Sequence, residues 1–364
     1  MAKSYLDIIV VVTNDLNSDQ RMHRICDSFL NNGKSVLLLG HQKRDSSPII
    51  NQNFKQQRLK TFFRKGPLFY LEFNIKVLFT LLFSSYRILY SVDLDTLLAS
   101  GLASIVRRKT LIYDSHEFFT ELPELQGKPI KKCIWNLIGK LFIPKADYCI
   151  SVGQKLSNVL SQKYRSEFIP IYNFPKFRNI DISKSISKRK VVLYQGKVNV
   201  KRGLEEMIQA LEYLQNIELW IVGDGDILEN IRIQANNSIA VDRIKIMGWY
   251  SPDDLAAITP LADIGINLLH GDSDNYYFSA ANKVYDYVMA GVPCLTMDFP
   301  EHQILNESHN VLYLLNELEP KKIAFKIQEI FSNKNLYRKK IENCIKAREV
   351  LNWENECQKL LRLI

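Results

Sequence analysis

Ten short apolar runs rich in β-branched residues recur along the chain with helical stretches between them, and no other feature constrains the fold as strongly. They lie at residues 8–13, 35–39, 96–99, 110–113, 148–152, 191–194, 218–222, 244–247, 264–268 and 292–296. Strands separated by helices imply parallel sheets covered on both faces, because a parallel neighbour is reached only by a crossover. The series is interrupted at residues 173–190, NFPKFRNIDISKSISKRK, a polar, basic, Ser/Lys-rich stretch with no apolar period that reads as a linker. At ~150 residues per domain, 364 residues suggest two domains. The expected fold is therefore α/β, with two Rossmann-like doubly wound parallel-sheet domains, residues 1–172 and 191–349, facing across a cleft. Ligands of such sheets bind outside the carboxyl ends of the strands, so the cleft is the expected site. Residues 321–364 read as helices, and the helix near 350–364 is expected to pack back on the first domain.

Several classes are excluded. Hydrophobic residues at 46% with 15 Gly and 12 Pro are an ordinary globular composition, neither collagenous nor disordered. The longest charge-free stretch of the most apolar region covers residues 77–86, whereas a bilayer span takes ~20 apolar residues. The N-terminal run has strand length and no small-residue cleavage site, so a cytoplasmic protein is expected. Six cysteines are scattered without metal-ligand spacing and read as buried, reduced thiols. The net charge of +9 is unevenly held, +12 in residues 1–185 and −3 in 186–364. No nucleic-acid-binding signature accompanies the basic half. Residues 67–90, PLFYLEFNIKVLFTLLFSSYRILY, follow a tract containing Lys55, Arg58, Lys60, Arg64 and Lys65. They read either as a buried core helix or as a surface resting on an anionic membrane.

Three segments of the second half carry chemistry. The first, YQGKVNVKRGL, joins a strand to an amphipathic helix. Gly196 permits close backbone approach, while Lys197, Lys201 and Arg202 set cations beside a helix start, which suits a diphosphate, although taken alone the segment reads rather as a solvated basic turn. The second, LWIVGDGD, ends a strand at Gly223, Asp224 and Gly225, where the backbone is free to meet a flat ring or a phosphate; a Gly-x-Gly pair alone is a weak signal. The third, NYYFSAANKVYDYVMAGVP, runs from small residues Ser279, Ala280 and Ala281 into a helix beginning near Asn282. Lys283 sits in its first turn and Asp286 lies four residues after Asn282 on the same face. A phosphate on the helix start with a carboxylate one turn deeper for a ribose diol is one reading; a capped helix with a Lys–Asp pair is the other.

Together with VTNDLNSDQRMHRICDSFLNNGKSVLLLG at residues 12–40 and LIYDSHEFFTELPEL at 111–125, these segments resemble the family 4 glycosyltransferases of GT-B fold, retaining and nucleotide-sugar-dependent. The resemblance covers nearly the whole chain. It implies that Lys197 and Arg202 take the family's two diphosphate-holding cations with the types exchanged, that residues 222–224 and 248–249 border the base, and that Asp286 grips the ribose. Two departures stand out. Phe278 occupies the place of the first of two family glutamates, and Asp286 shortens the second, so donor-sugar contacts are expected from the backbone around 279–281.

In the first domain, Asn14 or Asp15, in the loop 14–19 after the first strand, is either a cleft residue or part of a helix cap. His116, in YDSHE after a strand end, is expected to orient acceptor or donor sugar, with Glu117 as a further candidate. The implied reaction moves a sugar from a nucleoside diphosphate of unspecified base (UDP, GDP or ADP) to a hydroxyl of a glycan or lipid-linked acceptor. Lys197, Arg202 and the helix start stabilise the leaving group without an obligatory metal. That suits cell-surface polysaccharide synthesis at the inner face of the cytoplasmic membrane. A catalytically weak nucleotide-binding scaffold and a sugar-nucleotide epimerase are the alternatives. A nicotinamide enzyme fits poorly, because the first strand leads into TNDLNSDQR instead of G-x-G-x-x-G.

Overall fold

The computed structural model describes residues 5–17, 19–44, 46–180 and 189–364. The chain divides into two compact units, Met1–Asn173 with Glu356–Ile364, and Phe174–Asn355.

In unit 1 the order is β1 (Leu6–Val11), α1 (Gln20–Asn31), β2 (Val36–Gln42), β3 (Lys55–Lys60), α2 (Pro67–Phe83), β4 (Tyr86–Val92), α3 (Asp93–Arg107), β5 (Thr110–Ser115), α4 (Pro129–Phe142), β6 (Tyr148–Ser151), α5 (Gln154–Tyr164) and β7 (Phe168–Pro170). All seven strands are parallel, in the order β3-β2-β1-β4-β5-β6-β7. The central β1, LDIIVV, is almost wholly buried, as expected of a strand covered on both faces.

Unit 2 begins with β8 (Lys190–Gln195), α6 (Leu204–Ala210), β9 (Ile217–Val222), α7 (Leu228–Asn237), β10 (Ile244–Gly248), α8 (Pro252–Ile258) and β11 (Ile264–Asn267). It continues through α9 (Asp274–Tyr277), α10 (Asn282–Met289), β12 (Cys294–Met297), α11 (Pro300–His309), β13 (Leu312–Leu315), α12 (Pro320–Ser332) and α13 (Lys334–Arg348). Its parallel sheet runs β10-β9-β8-β11-β12-β13 over an aliphatic core. A last helix, α14 (Trp353–Leu361), passes into unit 1 at Glu356, where Glu356 Oε1 accepts from the Tyr172 backbone N–H at 2.9 Å. Both units are thus Rossmann-like α/β domains of the GT-B plan.

Some expectations need correction. Residues 96–99 lie in α3, not in a strand; Asp93 and Asp95 in the first helical turn and Gly101 packed against Phe142 belong to a helix of 15 residues. The strand is Tyr86–Val92, which the apolar stretch 67–90 concealed by running on from α2. The edge strand β3, KQQRLK, carries no apolar signal because one of its sides is unpaired. Cys133 is exposed on α4, whereas the other five cysteines are buried. Of the expected linker 173–190, residues 181–188 lie outside the described residues, as does residue 18 of the loop 14–19.

Candidate functional site

Each sheet reverses its strand order once, between β1 and β4 in unit 1 and between β8 and β11 in unit 2. The carboxyl ends flanking such a reversal diverge and leave room for a ligand. Nearly all the candidate residues lie on the loops at these two points or beside them.

In unit 2 the loop after β8 and that after β9 touch through their backbones. Gly196 N–H donates to Val222 O at 2.9 Å, and Val198 N–H to Asp224 O at 3.0 Å. Gly223, at φ +152°, lies so close that a Cβ would sit 1.8 Å from Gly196 O, so only glycine fits there. Asp224 is exposed, its side chain accepting from the Gly225 N–H. The β8 loop is tied to the β11 loop by Lys201 Nζ to Asp272 Oδ2 at 2.6 Å and by His270 N–H to Lys201 O at 3.1 Å.

Lys283, in the first turn of α10, is the most unusual group of this site. Its Nζ is buried, hydrogen-bonds to no described residue, and sits 3.7 Å from the Tyr194 ring centroid. An added Cβ on Gly196 would be 3.5 Å from the same nitrogen. Burial, reinforced by nearby Arg202, pushes the Lys283 ammonium well below its ordinary pKa. Arg202 stacks 4.8 Å from the Tyr276 ring centroid, and its buried Nε is likewise unpartnered. Two cations so close, one of them dehydrated, repel each other and create strong local demand for an anion. Among the described residues no side chain caps α10 at Ala281; Val284 N–H donates to Ala281 O at 3.0 Å, which leaves the N–H groups of Asn282 and Lys283 for another acceptor.

Asp286, one turn deeper, receives Gln195 Nε2 at 3.5 Å, and Thr259 Oγ1 fixes Gln195 Oε1 at 2.8 Å. Lys197 is exposed on the same loop and pairs with no described residue; its carbonyl accepts from Tyr194 O–H. Ser279 Oγ is turned back on Tyr276 O at 2.8 Å. Ala280 is buried, Asn282 exposed, and the Phe278 ring packs against Tyr277 with centroids 5.0 Å apart.

The unit 1 cluster centres on Asp114, fully buried at the end of β5. It takes Arg21 Nη2 at 3.2 Å, Tyr90 O–H at 2.6 Å and His116 Nε2 at 2.9 Å. Burial opposes its ionisation, but Arg21 and His116 outweigh burial and hold the carboxyl well below its usual range. Burial also disfavours a charged His116, yet Asp114 outweighs it and raises the pKa, and Nε2 lies 3.1 Å from Arg21 Nε as well as beside the carboxylate. Nδ1 makes no hydrogen bond to a described residue. Asp93, at φ +56°, accepts the His116 backbone N–H at 2.9 Å, and burial pushes its carboxyl up to about 8. Thr13 Oγ1 donates to Asp95 Oδ2 at 2.5 Å across the sheet reversal.

Glu117 is exposed beside this cluster. Asn14 donates to Asp19, which caps α1 at Met22 N–H, and Asp15 is bound to Arg58 at 2.8 Å and to Ser46. Both thus brace their own loop. Arg21, Asp93 and Asp114 escaped the sequence reading; DSHE was visible, but its partner Arg21 lies 93 residues from Asp114.

Residues 189–333 match the family described as "Glycosyl transferases group 1". Unit 2 is a glycosyltransferase domain. Over a longer span, the chain is 24% identical over 318 residues to an uncharacterised glycosyltransferase of Methanocaldococcus jannaschii, covering 80% of this chain and 79% of that protein. Among solved structures it is similar to Anabaena HepE in complex with UDP and glucose, at TM-score 0.77 and 14% identity, covering 98% and 99% of the two chains. Sucrose-phosphate synthase of Thermosynechococcus elongatus matches at TM-score 0.78 and 14% identity, covering 98% of each. The Lys283–Arg202 cluster lies wholly within the glycosyltransferase match.

Proposed function

We propose that this glycosyltransferase is a retaining enzyme of the family 4 type. It moves a sugar from a nucleoside-diphosphate sugar to a hydroxyl of a glycan or lipid-linked acceptor in cell-surface polysaccharide synthesis, at the inner face of the cytoplasmic membrane. The observation that carries this reading is the buried, unpartnered Lys283 ammonium beside Arg202 at the uncapped start of α10. As the glycosidic bond breaks, negative charge grows on the departing diphosphate. Lys283, Arg202 and the N–H groups of Asn282 and Lys283 stabilise it in place, with the exposed Lys197 adding a cation from the loop. Asp286 accepts from the ribose diol, and the strand ends at 222–224 border the base. His116 presents Nδ1 to acceptor or donor sugar while Asp114 and Arg21 hold the ring, and the acceptor attacks the face the leaving group vacates. Cations alone serve the leaving group, so a chelator is expected to leave transfer unchanged.

Anabaena HepE is known with UDP and with UDP-glucose, which makes these the first donors to test. A thermal-shift screen against UDP, GDP, ADP and their sugars, with NAD as control, reads donor binding directly, because a ligand of the native state raises its stability. Stabilisation by one nucleoside diphosphate, followed by NMR of a product with the donor's anomeric configuration, supports the reading. No stabilisation by any of them, or an inverted product, refutes the corresponding part. Binding without turnover would favour a scaffold, consistent with Phe278 in place of a glutamate.

A further inference from the structure

We propose that unit 1 docks on an anionic lipid bilayer through the joined outer faces of α2, α3 and α4. The proposal adds a specific surface to the functional reading above and does not depend on transfer, because docking is read without substrates.

The three helices connect β3 to β4, β4 to β5 and β5 to β6, all progressing in one direction across the sheet. Right-handed crossovers therefore place them on one face of it. They form a continuous layer: α3 packs on both neighbours, and Tyr70 of α2 meets Trp135 of α4 with ring centroids 5.1 Å apart. On the inner side of α2, Phe69, Phe73, Val77 and Leu81 are buried. Its outer side carries Leu68, Leu71, Ile75, Phe79 and Phe83 at spacings of three and four, each 45–66% exposed. On α4, Ile130, Ile134, Leu137 and Leu141 repeat the pattern at 48–76% exposure, and Ile105 and Val106 of α3, the helix packed against both, are exposed as well. Single exposed aliphatics are ordinary, whereas aligned stripes on adjoining helices mark a surface that is covered in use.

Charge identifies the cover. Residues 126–145 contain five lysines and no acidic residue, and exposed Arg64 and Lys65 precede α2 while exposed Arg108 ends α3. Glu72 and Glu121 are neutralised by Lys76 at 2.8 Å and Lys132 at 2.6 Å, leaving Glu124 as an exposed exception. A second copy of this face would set lysines against lysines across a two-fold interface, whereas anionic headgroups complement them. Among the described residues no helix is long and apolar enough to cross a membrane, so these helices lie on the surface with their apolar stripes in the headgroup–acyl boundary.

The test uses the full chain in a flotation assay with vesicles of phosphatidylcholine alone or with roughly 30% phosphatidylglycerol. Binding to the anionic vesicles should be about tenfold stronger or more, and Phe79→Glu with Leu137→Glu should abolish it while leaving the melting temperature and nucleotide stabilisation unchanged. Lys131→Glu with Lys140→Glu, at exposed positions that hold nothing together, should weaken anionic binding alone and decides the matter should the apolar pair not fold. Equal binding to both vesicle types, undiminished binding by the variants, or a dimer that the apolar pair dissolves without any vesicle binding would overturn the proposal.

Discussion

Replacing Lys283 by Met should act on binding and on stability with opposite signs. The wild-type ammonium stands over Tyr194 with no hydrogen-bond partner among the described residues, so the ligand-free protein bears its dehydration. Removing an unsatisfied buried donor returns about 1–3 kcal/mol, and loss of the cation–π contact takes back about 0.5–2 kcal/mol. The free variant is therefore expected to be more stable, by about 1 kcal/mol. In the complex, Met forfeits a charge-assisted hydrogen bond of about 1.5–3 kcal/mol, or roughly 10- to 150-fold in Kd. The pH dependence adds a second signature. With the folded pKa of Lys283 depressed, the unfolded chain holds a proton that the native state lacks between the folded value and about 10.4. Wild-type stability from this group rises with pH through that window, so the variant's advantage is largest at low pH and fades as pH increases. Melting curves from about pH 6 to 10, with and without the nucleoside diphosphate selected by the donor screen, measure both effects. A free variant that melts lower than wild type, together with unchanged nucleotide affinity, would refute the argument.

Three further outcomes are expected. Arg21→Met takes from the Asp114 carboxylate its guanidinium partner at 3.2 Å, both groups being buried, leaving only Tyr90 and His116, and should cost about 3–5 kcal/mol in urea unfolding; a loss under about 1 kcal/mol would show the pair to be dispensable. Asp93 keeps in the native state, up to about pH 8, a proton that the unfolded chain loses near 4, so native stability should fall as pH rises between these values. Asp93→Asn tolerates φ +56° and should remove that decline, gaining on the order of 2–4 kcal/mol at pH 7; an unchanged pH profile would exclude Asp93 as its source. Gly223→Ala forces a Cβ against Gly196 O and should cost about 2 kcal/mol or more and abolish nucleotide stabilisation; retained binding would contradict the close packing of these loops.

The strands legible in the sequence were those whose burial on both faces turns them into uninterrupted apolar runs, such as β1 and β8. Those it concealed had physical reasons to lack such a signal. β3 is an edge with polar side chains, and β4 follows α2 after only two residues, so one apolar stretch hides a change of period. At the site, Gly196, Gly223 and Lys283 were visible because backbone approach and helix starts leave local traces. What Lys283 touches was not, since Tyr194 lies 89 residues away and no local pattern reports a cation–π contact. The same limit hid Arg21 from Asp114. Conversely, Asn14 and Asp15 looked chemically available, and only coordinates show Asp19 and Arg58 engaging them.

Unit 1 is discontinuous in sequence, and this bears on biosynthesis. Its segment Glu356–Ile364 contributes the fully buried Leu360 and the carboxylate that receives the Tyr172 N–H. The ribosome makes that segment only after the whole of Phe174–Asn355, so unit 2, an unbroken stretch, is complete in sequence while unit 1 still waits for its closing piece. A nascent chain paused after residue 173 therefore holds an unfinished domain, with the seat of α14 uncovered. Order of synthesis and order of completion run in opposite directions along this polypeptide.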